Sequence, residues 1–209
     1  MPHLYDISPV LSPRIAVFPQ DTAFSRTVLM HVDQGHHITL SSVASTVHVG
    51  SHVDAPVHYG KGGRTMEEQP LELYIGPCLL VRVPGTRGRR VAVADVAGRV
   101  PFGTQRVLLA TDSYPNPEQW NGDFAGVEPE LVAWLDARGV RLVGVDTPSV
   151  DTADSKDLPA HAAFFAHDMA ILEGLVLRGV PEGRYELIAL PLRIEGADAS
   201  PVRAVLRTP

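Results

Sequence analysis

Three of the nine histidines in this chain fall within one eleven-residue run, HVGSHVDAPVH (48–58). Imidazole nitrogens and a carboxylate oxygen are the ligands that suit zinc and its neighbours. His48, His52, Asp54 and His58 share parity, so an extended chain turns all four to one side. His52 and Asp54, two residues apart, can reach a single ion without distortion. His48 poses a harder problem. A spacing of four suggests a helix, as in HExxH metalloproteases. Here Val47, Val49, Gly50, Ser51 and Val53 are poor helix formers, and Pro56 follows closely. A straight strand would hold the two histidines roughly 13 Å apart, too far to share an ion. The segment is therefore expected to be bent and non-helical, with Gly50 supplying the bend. A lone strand histidine is usually a hydrogen-bonded structural residue. Four titratable groups on one face are different, because burying them without a metal leaves costly unpaired polar groups.

A second stretch, PAHAAFFAHDMAILEGL (159–175), carries His161, His167, Asp168 and Glu173. Glu173 stands in the apolar run ILEGL, where a carboxylate is expensive unless paired or coordinated. His167 and Asp168 are expected at the solvent-facing end of a helix, without a site role. Asp112, Asp146 and Asp151 follow or adjoin apolar strands and are expected to cap turns.

The elements that must position these groups read as strand-dominated. Residues 26–32, 37–45 and 78–83 are rich in β-branched and apolar side chains, and residues 105–112, 141–146, 186–194 and 202–207 also read as strands. Helices are expected over 128–139, with Pro129 in the first turn and Gly139 at the end, and over 159–170. Trp134 reads as core packing. The pattern gives an α/β domain with a mixed sheet and a few packed helices, spanning residues 1–209 as one unit.

Composition limits the function classes. The 209 residues are 44% hydrophobic and 20% charged with a net charge of −6, and no basic patch interleaved with aromatics suggests nucleic-acid binding. No apolar stretch approaches the roughly 20 residues of a membrane span, and the N-terminus shows no signal-peptide pattern. Cys78 is the only cysteine, which fits a reducing compartment and a cytoplasmic location; its apolar strand suggests a buried, inert thiol.

HVGSHVDAPVH resembles the H-x-G-T-H-x-D-x-P-x-H motif of the cyclase family of metal-dependent hydrolases, with Ser51 in place of the usual Thr. The resemblance runs on through VGVDTPSVD (143–151), His161 with Glu173, and ALPLRIEGADASPVRAVL (189–206). It includes YDIS (5–8) and VFPQD (17–21), where the family often reads Pro-Gly-Asp and Gln20 departs. Within the family the chain looks most like the bacterial enzymes that hydrolyse N-formyl-L-kynurenine to L-kynurenine and formate in tryptophan degradation.

The resemblance implies a swivelling β/β/α-type fold and a homodimer or larger homo-oligomer. It implies two divalent ions per subunit, zinc first and manganese second. His48, His52 and Asp54 would hold one ion, and Asp54 would bridge to the other, completed by His161 and Glu173. His58 would be the acid/base, passing a proton to the leaving arylamine after a metal-held hydroxide attacks the formyl carbon. Phe18 would lie against the substrate ring. Two alternatives remain at this level. One is an isatin-type cyclic amide hydrolase with a similar metal motif. The other is a non-catalytic, zinc-stabilised binding domain, disfavoured because structural zinc sites are closed and often rich in cysteine.

Overall fold

The structure is a computed structural model and describes residues 2–209. Thirteen strands occur in the order β1 (Leu4–Asp6), β2 (Ser25–Met30), β3 (Leu40–Ala44), β4 (His52–Asp54), β5 (Ile75–Arg82), β6 (Arg90–Val91) and β7 (Arg106–Ala110). They continue through β8 (Gly126–Val127), β9 (Leu142–Val145), β10 (Ala170–Glu173), β11 (Gly183–Ile188), β12 (Ala199–Pro201) and β13 (Val205–Arg207). The α-helices are α1 (Val93–Val96), α2 (Pro129–Asp136) and α3 (Pro159–Ala166).

Nine strands form one mixed sheet in the order β1-β13-β11-β5-β7-β9-β10-β4-β12. The centre, β5-β7-β9-β10, is parallel, and antiparallel strands flank it on both sides. Every residue of β7 and β9 is buried, as a parallel sheet covered on both faces requires. Alternation along β7 sends Val107 and Leu109 to one core and Leu108 and Ala110 to the other. The first core also contains Leu131, Leu135 and Phe164 from α2 and α3. Trp134 is only half-buried, with the Arg138 guanidinium over its ring.

Some expected boundaries move. The helix expected over 159–170 stops at Ala166, because Asp168 adopts a left-handed φ of 49° and turns the chain back. Residues 170–173 then pair with β9 as strand β10, which places Glu173 on a strand end. The strand expected over 186–194 spans Gly183–Ile188 instead; Pro191, further on, has no N–H to give a ladder. The strand expected over 202–207 begins only at Val205. Residues 26–32 and 37–45 do pair, but as a separate β2–β3 hairpin outside the main sheet.

Candidate metal centre

The bend expected at Gly50 is present, with a φ of +60° that favours glycine. It replaces a straight-chain separation with a distance of 5.1 Å between the His48 and His52 rings. Close packing also holds the bend, since a Cβ on Gly174 would lie 2.0 Å from the Gly50 carbonyl oxygen.

β4 then runs antiparallel to β10, with His52 directly opposite Glu173. Facing residues in such a pair have neighbouring side chains, and His52 Nε2 lies 3.2 Å from Glu173 Oε2. On the other side β12 pairs with β4 and places Ala199 opposite Asp54. Helix α3 contributes His161 from its first turn.

The two distant stretches converge on Asp54. Its Oδ1 lies 3.1 Å from His48 Nδ1 and 3.6 Å from His52 Nε2, and its Oδ2 lies 3.5 Å from His161 Nε2. Asp54 is 1% exposed, and neither oxygen has a hydrogen-bond partner of normal geometry. A buried carboxylate left this way is costly, and three imidazoles and Glu173 around it form the donor set of a divalent cation. The residues present fit the implied metal. Ligand atoms of His52, Asp54 and Glu173 lie within 4.8 Å of one another, as do those of His48, Asp54 and His58.

Each imidazole has one nitrogen tied down and the other aimed at the cluster. His52 Nδ1 donates to the Gly50 carbonyl at 3.0 Å, His161 Nδ1 to Asp151 at 2.8 Å, and His48 Nε2 to Asp198 at 3.0 Å. Such partners fix the tautomer that leaves a lone pair for the ion. Glu173 is steadied by accepting the Val150 N–H at 2.7 Å.

The local field follows from this packing. Burial opposes charging of His48, but Asp54 and Asp198 outweigh it and raise its pKa to about 9. His161 is likewise raised to about 10 by Asp151 and Asp54 against burial. Burial pushes Asp54 up, yet His161 and His48 hold it well below the usual carboxylate range. His58 moves the other way, lowered chiefly by burial. Burial pushes the Cys78 thiol up to about 12, as befits an inert core residue.

The cluster opens onto a cavity of about 500 Å³ lined by Phe18, His58, Tyr114, Pro117, Leu158 and Val176 among others. That volume suits a small organic molecule. A closed structural site would have no such opening. His58 lies on the wall in a short 3₁₀ turn (Pro56–His58), its ring centroid 4.2 Å from that of His48. Phe18 is 43% exposed and packs edge-on against Trp120 at 4.9 Å. Gln20, where the family often has glycine, takes a left-handed φ of 78°, so the turn is kept at a cost of about 1 kcal/mol.

His167 stays outside the site, paired with Asp136 at 2.8 Å, and Asp168 pairs with Arg64. Asp146 caps the turn after β7 through the N–H groups of Thr111 and Asp112, and Asp112 pairs with Arg82. Asp151 caps the start of α3 through the Ala160 and His161 N–H groups, but it also holds the His161 ring, which the sequence did not disclose. Asp198 was missed as well. Its only signal was its place in the GADASP segment, far from either histidine stretch.

The fold and the site define a family. A protein-family model described as "Putative cyclase" matches residues 5–152, and the chain belongs to that family. It is 44% identical over 207 residues to a kynurenine formamidase of Maricaulis maris and 46% identical over 208 residues to one of Sphingopyxis alaskensis, covering 99% of both chains in each case. Among solved structures it resembles a potential metal-dependent hydrolase with cyclase activity at 29% identity, with a TM-score of 0.87 over 100% of this chain and 99% of that one. An isatin hydrolase A from Labrenzia aggregata shares the fold, with a TM-score of 0.85 at 23% identity, covering 99% of this chain and 94% of that one. No helix among the described residues is long and apolar enough to cross a membrane.

Proposed function

We propose that the chain is a metal-dependent amide hydrolase converting N-formyl-L-kynurenine to L-kynurenine and formate. Its relatives' name describes this reaction, and residues 1–209 would act as one cytoplasmic hydrolase domain. The observation that carries the metal half of this reading is Asp54, a buried carboxylate with no hydrogen-bond partner of normal geometry among the described residues, amid three oriented imidazoles and Glu173.

His48, His52 and Asp54 would hold one ion, and Asp54 would bridge to a second completed by His161 and Glu173. Zinc suits this donor set, with manganese the alternative. Such ions, when bound, supply Lewis acidity toward a carbonyl oxygen and lower the pKa of water. The remaining work belongs to side chains. His58, kept neutral by burial and facing the cavity, can take a proton and deliver it to the arylamine nitrogen as the amide bond breaks. Phe18 offers an aromatic face to the substrate ring from the cavity wall, backed by Trp120.

The chain would work as a homodimer or larger homo-oligomer. In the β2–β3 hairpin every strand residue but Met30 is exposed, including Val28, Leu29, Leu40 and Val43. A lone two-stranded hairpin is marginal in water, so a second copy covering it explains its persistence.

A formamidase assay on metal-free protein, with zinc or manganese added back and elemental analysis alongside, tests the reading. Metal-restored formate release is expected, with about two ions per chain by the bridging geometry of paired sites. Turnover that ignores the metal ends it. Faster cleavage of isatin than of N-formylkynurenine moves it to the cyclic amides.

A further inference from the structure

Asp198 lies just ahead of edge strand β12, 140 residues from His58 in sequence. The backbone pins it there. Its carbonyl accepts the Ala55 N–H at 2.8 Å, and the neighbouring Ala197 carbonyl accepts that of Met66 at 2.9 Å. A carboxylate fixed this way loses little freedom on making a contact. One oxygen, Oδ2, lies 3.0 Å from His48 Nε2 and 3.4 Å from His58 Nδ1. The two rings sit side by side with an interplanar angle of 42°.

From this geometry we infer that Asp198 is a positioning residue that aligns the first metal ligand and the proton-transfer histidine together. His48 donates its Nε2 proton to Asp198, so that once its Nδ1 proton is displaced the Nδ1 lone pair is left for the ion position beside Asp54. His58 turns Nδ1 toward the same oxygen, which leaves Nε2 as the free nitrogen for proton transfer. One half-exposed acid thus fixes the tautomer of His48 and lies against Nδ1 of His58. Neither histidine could shift without disturbing the other's anchor. An ordinary surface ion pair between long side chains lacks this backbone support and contributes little.

The inference rests on the proposed roles of His48 and His58. The test titrates zinc into metal-free full-length protein, wild type and the variants Asp198→Asn, Asp198→Ala and Asp198→Glu, by calorimetry. kcat, KM and thermal midpoints are measured on the same preparations. Asp198→Asn and Asp198→Ala are expected to weaken zinc binding by roughly 10–100-fold. At saturating zinc their kcat falls by a similar factor with KM nearly unchanged, while the metal-free thermal midpoint stays near wild type. Asp198→Glu recovers part of both losses. Wild-type zinc affinity and kcat in Asp198→Asn would overturn the inference, as would losses matched by a collapse of the metal-free fold in all three variants. A wild-type chain that binds zinc but does not cleave N-formylkynurenine overturns the functional reading alone, since the affinity measurement uses no substrate.

Discussion

Two stretches of this chain are dense in histidine, and only one gathers its rings around a buried carboxylate. His31, His36 and His37 belong to the β2–β3 hairpin and its turn, where His36 and His37 are exposed and His31 is half-buried. His31 Nδ1 accepts the Asp33 N–H at 3.2 Å, a local contact within its own turn. His48, His52 and His58 instead sit against a buried carboxylate, and each meets an acidic partner from a distant part of the chain: Asp198, Glu173 and Asp198 again. Residue type is similar in the two stretches, although His31, His36 and His37 do not share parity. Desolvation and orienting partners separate them, because water satisfies an exposed imidazole while a buried one must be paired or ligated.

The largest test of that contrast replaces the buried carboxylate. Asp54→Asn is expected to remove metal binding and to cut kcat/KM on the order of 10³-fold or more, since several kcal/mol of electrostatic stabilisation go with it. The double variant His36→Ala/His37→Ala should leave both metal content and kcat/KM at wild-type values. Comparable losses in the two would break the comparison.

Next comes His58→Ala, expected to lower kcat by about 10²–10⁴-fold while elemental analysis still finds the wild-type metal load. Loss of metal in this variant would make His58 a ligand rather than an acid/base. Asp151→Asn should be milder, weakening zinc affinity by roughly 10–100-fold because an amide facing His161 Nδ1 no longer enforces the ligating tautomer. Calorimetric titration reads this directly.

Protonation sharpens the contrast further. In the metal-free chain His48 and His161 keep protons up to about 9 and about 10, so zinc must displace them at lower pH. Zinc affinity should therefore rise from pH 6.5 to 9, with proton release visible in buffers of different ionisation enthalpy. The metal-free fold should show the reverse trend. A raised histidine contributes stability that is complete below its unfolded value of 6.5 and is lost as pH climbs through its folded value. A metal-free denaturation midpoint that increases between pH 7 and 10 would contradict this. The smallest effect belongs to the hairpin: Val43→Glu should change subunit stability by less than about 0.5 kcal/mol. It should still dissociate the oligomer in light scattering and leave zinc affinity untouched. A fully assembled variant would remove the hairpin from the interface.

Much of the site was legible in the residues themselves. The HVGSHVDAPVH pattern gave ligand types and parity, and poor helix formers with Gly50 forced a bend, because backbone preferences act over a few residues. Glu173 stood out because an acid in an apolar run has to be paired. The strand-rich α/β character followed from local periodicity in the same way. Tertiary structure decided the rest. Whether His161 and Glu173 met Asp54 depended on β10 pairing between β9 and β4, and α3 ended early to allow it. Asp151 and Asp198 were invisible as site residues because nothing within a few positions of them shows that a histidine ring will be there. Such contacts are set by sheet register and chain crossing, over distances in sequence that local preferences do not reach.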